Sequence, residues 1–313
     1  MKNSEIIFII GAHKTATSTL VGMLNCHPEI FLLYENELYQ PHISRHGKRF
    51  LAQYPDARFL FRSSEDLYPL YSQLREFLKG KGYPYKYVGD KLPGLNANFH
   101  VSLNAFKVIF SVRDIRTWLG KDLVVRKYAM KQDVIPAAID YSICFLKSFK
   151  LSQVFHVRME DLILQNGISL KEMGEFLSLD FNQHIQDWWK KIPMTDKNNP
   201  KASDPWWETH DSSLRQPQGN DTVTQISPHP FWEQLLPVFD KYYQNLQGGF
   251  SPLEIDQDIT TLLHLKKYSP LSPQQAFTHR ESHSISQGER EKSTKNIIKK
   301  VLKTLGLPRS VIL

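Results

Sequence analysis

Nine residues near the start of the chain gather the groups that hold an anion: Gly11-Ala12-His13-Lys14-Thr15-Ala16-Thr17-Ser18-Thr19. An apolar run, Ile6-Ile7-Phe8-Ile9-Ile10, precedes them, and Leu20, Val21, Met23 and Leu24 follow at helical spacing. A turn from strand into helix presents unpaired amide N–H groups and the positive end of a helix dipole, so phosphate-type oxygens bind there without special side chains. Lys14 adds a mobile cation, and Thr15, Thr17, Ser18 and Thr19 add hydroxyl donors. A loop that merely joins a strand to a helix needs none of these side chains.

The loop departs from the magnesium-nucleotide pattern. That pattern sets Gly, four residues, then Gly-Lys-Ser/Thr, with the hydroxyl holding magnesium. Counted from Gly11, the late positions hold Ala16 and Thr17, and the lysine comes early instead, at Lys14. A second cation stands at the end of another apolar run, Phe106 to Val112, in Arg113-Asp114-Ile115-Arg116. A guanidinium there suits a dianionic phosphate through paired hydrogen bonds, the alternative being a surface ion pair.

These groups need a frame, and the chain is long enough to supply one. With 313 residues, 41% of them hydrophobic, it can bury a substantial core. Ile6–Ile10, Phe106–Val112 and Gln153–Val157 read as buried strands. Residues 135–149, 170–177 and 231–246 read as helices, and a further strand ends near Gly89. Strands alternating with helices predict an α/β fold: a parallel-sheet, P-loop-like nucleotide-binding fold with flanking helices. The domain is expected over residues 1–252. A flexible linker is expected over 253–292, rich in Ser, Pro and Gln from residue 268, and a basic amphipathic tail over 293–313. In the tail, Ile297, Ile298, Val301, Leu302 and Leu305 share one helical face opposite lysines. Such a segment can rest on an anionic membrane as a peripheral contact, dock a partner, or pack on its own domain.

The formal charge of +7 favours an anionic partner without choosing one. The basic residues are dispersed apart from the tail, which argues against a nucleic-acid stripe. Two cysteines, Cys26 and Cys144, make neither a disulfide framework nor a thiol metal set, and fit a reducing, cytoplasmic setting. His13, His100 and His156 are isolated and lack metal-ligand spacing, so no metal is expected. The N-terminal apolar run is too short to span a membrane.

The loop from Gly11 to Ser18 resembles the 5′-phosphosulfate-binding loop of sulfotransferases that use 3′-phosphoadenosine-5′-phosphosulfate (PAPS), in which Gly-x-x-Lys-Thr-Gly-Thr-Ser/Thr follows the first strand. Ala16 stands where that family usually has glycine; if the position requires positive φ, alanine is strained there. Arg113 resembles the arginine of the family's second signature, which binds the 3′-phosphate together with a serine; the serine position is Lys121 here. Leu24 to Ile30, Val88 to Pro93 and Val157 to Leu162 resemble three further family segments in the same order, so the resemblance spans roughly residues 5 to 250. It implies the sulfotransferase fold, PAPS as co-substrate and PAP as product. Ser213 and Arg215 match a loop that closes over the nucleotide in that family.

The resemblance also implies chemistry. Sulfuryl transfer asks for in-line positioning and for stabilisation of the leaving phosphate, the role implied for Lys14, with Lys91 a second cation. The histidine base of the small-molecule branch falls on Pro93, so the resemblance tilts to the glycan-modifying branch, whose base is a glutamate. Counting from His27 puts Glu37 on it, and Glu35 lies on the same side if the segment is extended. A carbohydrate-like or glycoconjugate acceptor is the implied partner; Trp188, Trp189, Trp206 and Trp207 could stack on sugar rings or simply pack. A P-loop kinase and a non-catalytic anion-binding module are the competing readings.

Overall fold

The computed structural model describes residues 5–35, 38–40, 42–62, 64, 66–93, 103–119, 134–163, 167–181 and 230–268. Five parallel strands form one sheet: β1 (Ile6–Gly11), β2 (Ile30–Tyr34), β3 (Tyr87–Pro93), β4 (Lys107–Val112) and β5 (Val154–Arg158), in the order β2-β3-β1-β4-β5. The isoleucine-rich run becomes the central strand because all its residues are buried, as a strand with neighbours and helices on both sides requires. Its alternation divides the core in two. Ile6, Phe8 and Ile10 face one apolar cluster, while Ile7 and Ile9 face the other.

Helix α1 (Thr17–Asn25) follows β1 and buries Leu20, Val21 and Leu24 on the Ile7/Ile9 side. A short helix, α2 (Arg45–Gln53), follows β2, and α3 (Leu67–Gly80) leads into β3. Helix α3 is capped by Asp66, whose carboxylate accepts from the Tyr68 amide at 3.0 Å. It buries Leu67, Leu70, Tyr71, Leu74 and Leu78, one stripe at helical spacing, against the opposite face. After β4 come α4 (Ile115–Leu119) and α5 (Val134–Ser148); after β5 come α6 (Met159–Ile163), α7 (Gly167–Leu177) and α8 (Pro230–Gln244). The end of α7 is fastened to the sheet by side chains from β3, β4 and the residue before β3. The carbonyls of Phe176, Leu177 and Ser178 accept from Lys107, from the Tyr87 hydroxyl (2.6 Å) and from Lys86 (3.1 Å) respectively.

Two expectations are corrected. Strand β3 does not stop at Gly89 but runs to Pro93. Its polar residues Asp90 and Lys91 disguise it in sequence, yet they are 0% and 4% exposed, and each has a partner that makes burial tolerable. Gly89 is obligatory, since a Cβ there would fall on the carbonyl oxygen of Ile7 in β1. The expected linker also starts too early. Residues Pro252–Tyr268 form a ninth helix among those described, α9, which lays Ile255, Ile259 and Leu262 into the core beside α5. Three aliphatic residues at i, i+4 and i+7 hold it there, so the packed domain reaches residue 268. Residues 269–313, with the rest of the expected linker and the tail, lie outside the described residues.

The strand order fixes where a ligand belongs. From β1 the chain goes to β2 and β3 on one side and then crosses to β4 and β5 on the other. In an open parallel sheet the crevice at such a reversal, beyond the carboxyl ends of the strands, is the ligand site. The loop after β1 and Arg113 after β4 flank that crevice. Among the described residues no helix is long and apolar enough to cross a membrane.

Candidate active site

The loop 11–16 is held in a shape that most residues avoid. Lys14 and Ala16 have φ of 69° and 66°, the left-handed region. A Cβ on Gly11 would lie 2.5 Å from the Ser111 carbonyl oxygen and 2.6 Å from the Thr15 hydroxyl, so only glycine fits between β1 and β4 at that level. Three consecutive carbonyls of the loop are then taken by side chains of the β4–α4 segment. His13 accepts from the Trp118 indole at 2.7 Å, Lys14 from the Arg113 guanidinium at 3.2 Å, and Thr15 from the Ser111 hydroxyl. A trans peptide sets its N–H opposite its C=O, so the amides of Lys14 and Ala16 are turned away from this wall.

Helix α1 begins immediately after. Its N-cap is Ala16, which has no side-chain acceptor, and its first turn carries no acid. The amides of Thr17, Ser18 and Thr19 therefore sit at an uncapped positive helix end, with the exposed Lys14 beside them. One expected donor is corrected. The Thr15 hydroxyl is buried and donates to the Ala12 carbonyl at 2.8 Å, closing the turn instead of facing a ligand.

Arg113 is 2% exposed. Its Nε donates to the Thr117 hydroxyl at 2.9 Å, and its backbone amide and carbonyl both bond to the Tyr141 hydroxyl. Burial pushes the Tyr141 phenol well up from its usual value, which keeps it a neutral donor and acceptor. Glu160, at the start of α6, accepts from the Asp114 amide (3.2 Å), the Thr117 hydroxyl (3.1 Å) and the Tyr243 hydroxyl (2.7 Å). Arg116 pairs with Asp114 and with Asp240 of α8. The wall that shapes the loop is thus braced against α6 and α8.

A second cluster stands on the β3 side of the loop. Lys91 Nζ contacts the Ser18 hydroxyl at 3.2 Å, forms a close ion pair with Glu35, and lies 4.3 Å from the centre of the Tyr34 ring. The Ser18 and Tyr34 hydroxyls share a hydrogen bond of 2.6 Å. Glu35 has φ of 54°, so β2 ends at Tyr34 and the chain turns there. The expectation that Glu35 sits in an extended segment is thereby corrected. The carboxylate of Glu35 comes to the site because the chain turns.

Of the residues singled out in sequence, the structure brings together Gly11, His13 through its carbonyl, Lys14, Ala16, Thr17, Ser18, Thr19 and Arg113, with Lys91 and Glu35 adjoining. Glu37, Lys121, Ser213 and Arg215 lie outside the described residues, as do His100 and the paired tryptophans. Sequence reasoning missed Ser111, Trp118, Tyr34 and His46. Ser111 and Trp118 flank Arg113 in sequence, so the second signature was the signal available for them; His46 had none. Among the described residues no three His, Cys, Asp or Glu side chains group as a metal site.

No protein-family model matches the sequence, and no curated protein matches it. Solved structures do match. The sulfotransferase domain of the olefin synthase of Synechococcus PCC 7002 superposes with a TM-score of 0.50 at 15% identity, over 83% of this chain and 95% of that domain. The sulfotransferase domain of the curacin biosynthetic pathway gives 0.46 at 17% identity, over 79% and 99%. A sulfotransferase of Mycobacterium avium gives 0.41 at 13% identity, over 79% and 78%. The first of these likenesses shows the fold: a parallel α/β sheet with flanking helices, as in a sulfotransferase domain.

Proposed function

We propose that the protein is a sulfotransferase that uses PAPS, passes its sulfuryl group to a hydroxyl or amine of a carbohydrate-like acceptor, and releases PAP. The observation that carries this reading is the direct bond between Arg113 and the Lys14 carbonyl at the topological reversal of the sheet. It ties Arg113 to the loop that carries Lys14, the two residues expected at the two phosphate ends of the donor, and so supports the reading. The shared fold supports the same reading.

In the reaction the acceptor oxygen bonds to sulfur while the bond from sulfur to the 5′-phosphate oxygen breaks, its electron pair leaving with the phosphate. Lys14 and the first-turn amides of α1 face the charge that gathers there. Glu35 is the residue we assign to receive the acceptor's proton, because its carboxylate reaches the Lys91–Ser18 edge of the loop. The carbohydrate-like character of the acceptor rests on the glutamate in place of a histidine after Lys91, where the chain has Pro93.

Calorimetric titration with PAP and with ATP, each with and without magnesium, tests the donor. PAP is expected to bind without magnesium and more tightly than ATP. Preferential binding of ATP that vanishes on removing magnesium would replace this reading with a kinase.

A further inference from the structure

His46, on a helix that no motif connects with the site, lies against the carboxylate of Glu35. Helix α2 is anchored to Glu35 at its first turn. The N-cap Ser44 hydroxyl donates to the Glu35 carbonyl at 2.9 Å while accepting from the Gly47 amide at 3.0 Å. This places the His46 ring against the Tyr34 ring, with centroids 4.8 Å apart, and its Nε2 4.0 Å from Glu35 Oε2. The other carboxylate oxygen, Oε1, is the one paired with Lys91.

Nδ1 of His46 is buried and makes no hydrogen bond among the described residues. A buried N–H without an acceptor is a rarer and costlier state than a buried lone pair without a donor. The neutral ring therefore carries its proton on Nε2, the nitrogen facing Glu35. Burial pushes the ring's pKa below its ordinary value; Glu35 opposes this, while the charges of Arg49, Lys91 and Arg45 assist it. Among the described residues the charged groups around the ring are Arg45 and Arg49 on its own helix, Lys91 on β3 and Glu35 at the end of β2, with the Tyr34 hydroxyl a further titratable neighbour.

We propose that His46 is a positioning residue for Glu35: a neutral Nε2–H donor that holds Oε2 of the carboxylate and keeps it aimed at the acceptor when Lys91 is drawn to the donor. The inference rests on the reading of Glu35 as the proton acceptor. Lys91 is shared between Ser18 on the donor loop and Glu35, so an incoming sulfuryl group competes for it. Once Lys91 turns to that group, His46 is, among the described residues, the donor left beside the carboxylate. A separation of 4.0 Å is longer than a hydrogen bond, and contacts of this kind tighten as the reactants load.

Two measurements test it. In a nitrogen-15 long-range proton correlation spectrum near pH 7, with the His46 signals identified by their loss in His46→Gln, the ring is expected as the neutral Nε2–H form, and its signals are expected to move in Glu35→Gln. A neutral Nδ1–H ring, an imidazolium, or signals indifferent to Glu35→Gln would overturn the contact, whatever reaction the protein catalyses. PAP release from PAPS with a panel of 4-nitrophenyl glycosides gives the second. His46→Phe, which keeps a ring on Tyr34, is expected to lower kcat about tenfold at unchanged KM for PAPS, and His46→Gln, which restores a donor near the Nε2 position, to stay within about threefold of the parent. Equal losses in the two variants, or no loss in His46→Phe, would overturn the positioning role. Failure of the parent to bind PAP at all sinks the sulfotransferase reading instead, and leaves the spectrum to decide the contact.

Discussion

The Arg113 guanidinium donates to the backbone carbonyl of Lys14 at 3.2 Å across 99 positions of sequence. A side chain whose type suits a phosphate is thus also part of the wall that shapes the loop after β1. Trp118 and Ser111 repeat the arrangement on the carbonyls before and after. The loop's curvature is imposed from β4 and α4 as much as by its own residues.

Trp118→Phe isolates that wall. The ring packed on Tyr141 at 4.7 Å is kept and the indole N–H to His13 is lost. The loss of one such bond costs on the order of 1 kcal/mol, so PAP affinity should fall about fivefold while the protein stays folded. Calorimetry checks the affinity and a urea midpoint the fold. An unaltered affinity would mean the loop keeps its shape without the wall.

Ala16 at φ 66° bears a left-handed cost of about 1–2 kcal/mol, of which glycine's extra freedom in the unfolded chain returns about 0.4–1 kcal/mol. Ala16→Gly is therefore expected to stabilise the protein by roughly 0.5–1 kcal/mol, read as a higher urea midpoint. Gly11→Ala should do the reverse, losing about 1–3 kcal/mol, because its Cβ meets the Ser111 carbonyl.

Much of the sheet could be read in advance, and the reasons are particular. Strands β1 and β4 are buried on both faces, and the apolar runs Ile6–Ile10 and Val108–Phe110 announce them. Strand β3 hid because Asp90 and Lys91 interrupt its run; their burial depends on Tyr71, Ser18 and Glu35, none of them near in sequence. The loop was legible because its anion-binding features are consecutive. The cluster around Glu35 was not, since it is assembled from the end of β2, the start of α2 and the middle of β3, and proximity across three elements leaves no local pattern. Helix α9 was lost to composition: among the side chains described, Ile255, Ile259 and Leu262 are the buried ones, and most of their neighbours are polar.

Ile259→Ala tests whether α9 belongs to the domain. The side chain is 7% exposed against the α5 face, so its truncation should cost about 2–4 kcal/mol. A cooperative urea transition at lower midpoint is expected. A midpoint equal to the parent's would mean that α9 contributes nothing to the cooperative unit.

His156 sets a pH dependence. Burial pushes its pKa from 6.5 down to about 3, while its Nε2 bonds to the Ser148 hydroxyl at 2.7 Å and its ring stacks on Phe149. Between those values the unfolded chain binds a proton that the folded one refuses. This contribution to stability is whole above about pH 6.5 and falls as the pH drops, by up to about 1.4 kcal/mol per unit, until about pH 3. His156→Leu should remove one proton from the slope of unfolding free energy against pH between about 6 and 4. An identical slope in the two proteins would show that His156 is protonated in the folded state.

The central strand acquires its neighbours late: Ile7 pairs with Gly89 on one side and with Lys107 on the other. About a hundred residues must therefore follow Ile7 before the Gly11 turn has both its flanks, and until then a run of five apolar residues stays unsheltered. Chain closures of that length are slow, so this apolar run should be the segment that chaperones occupy and that truncation before β4 leaves prone to aggregate.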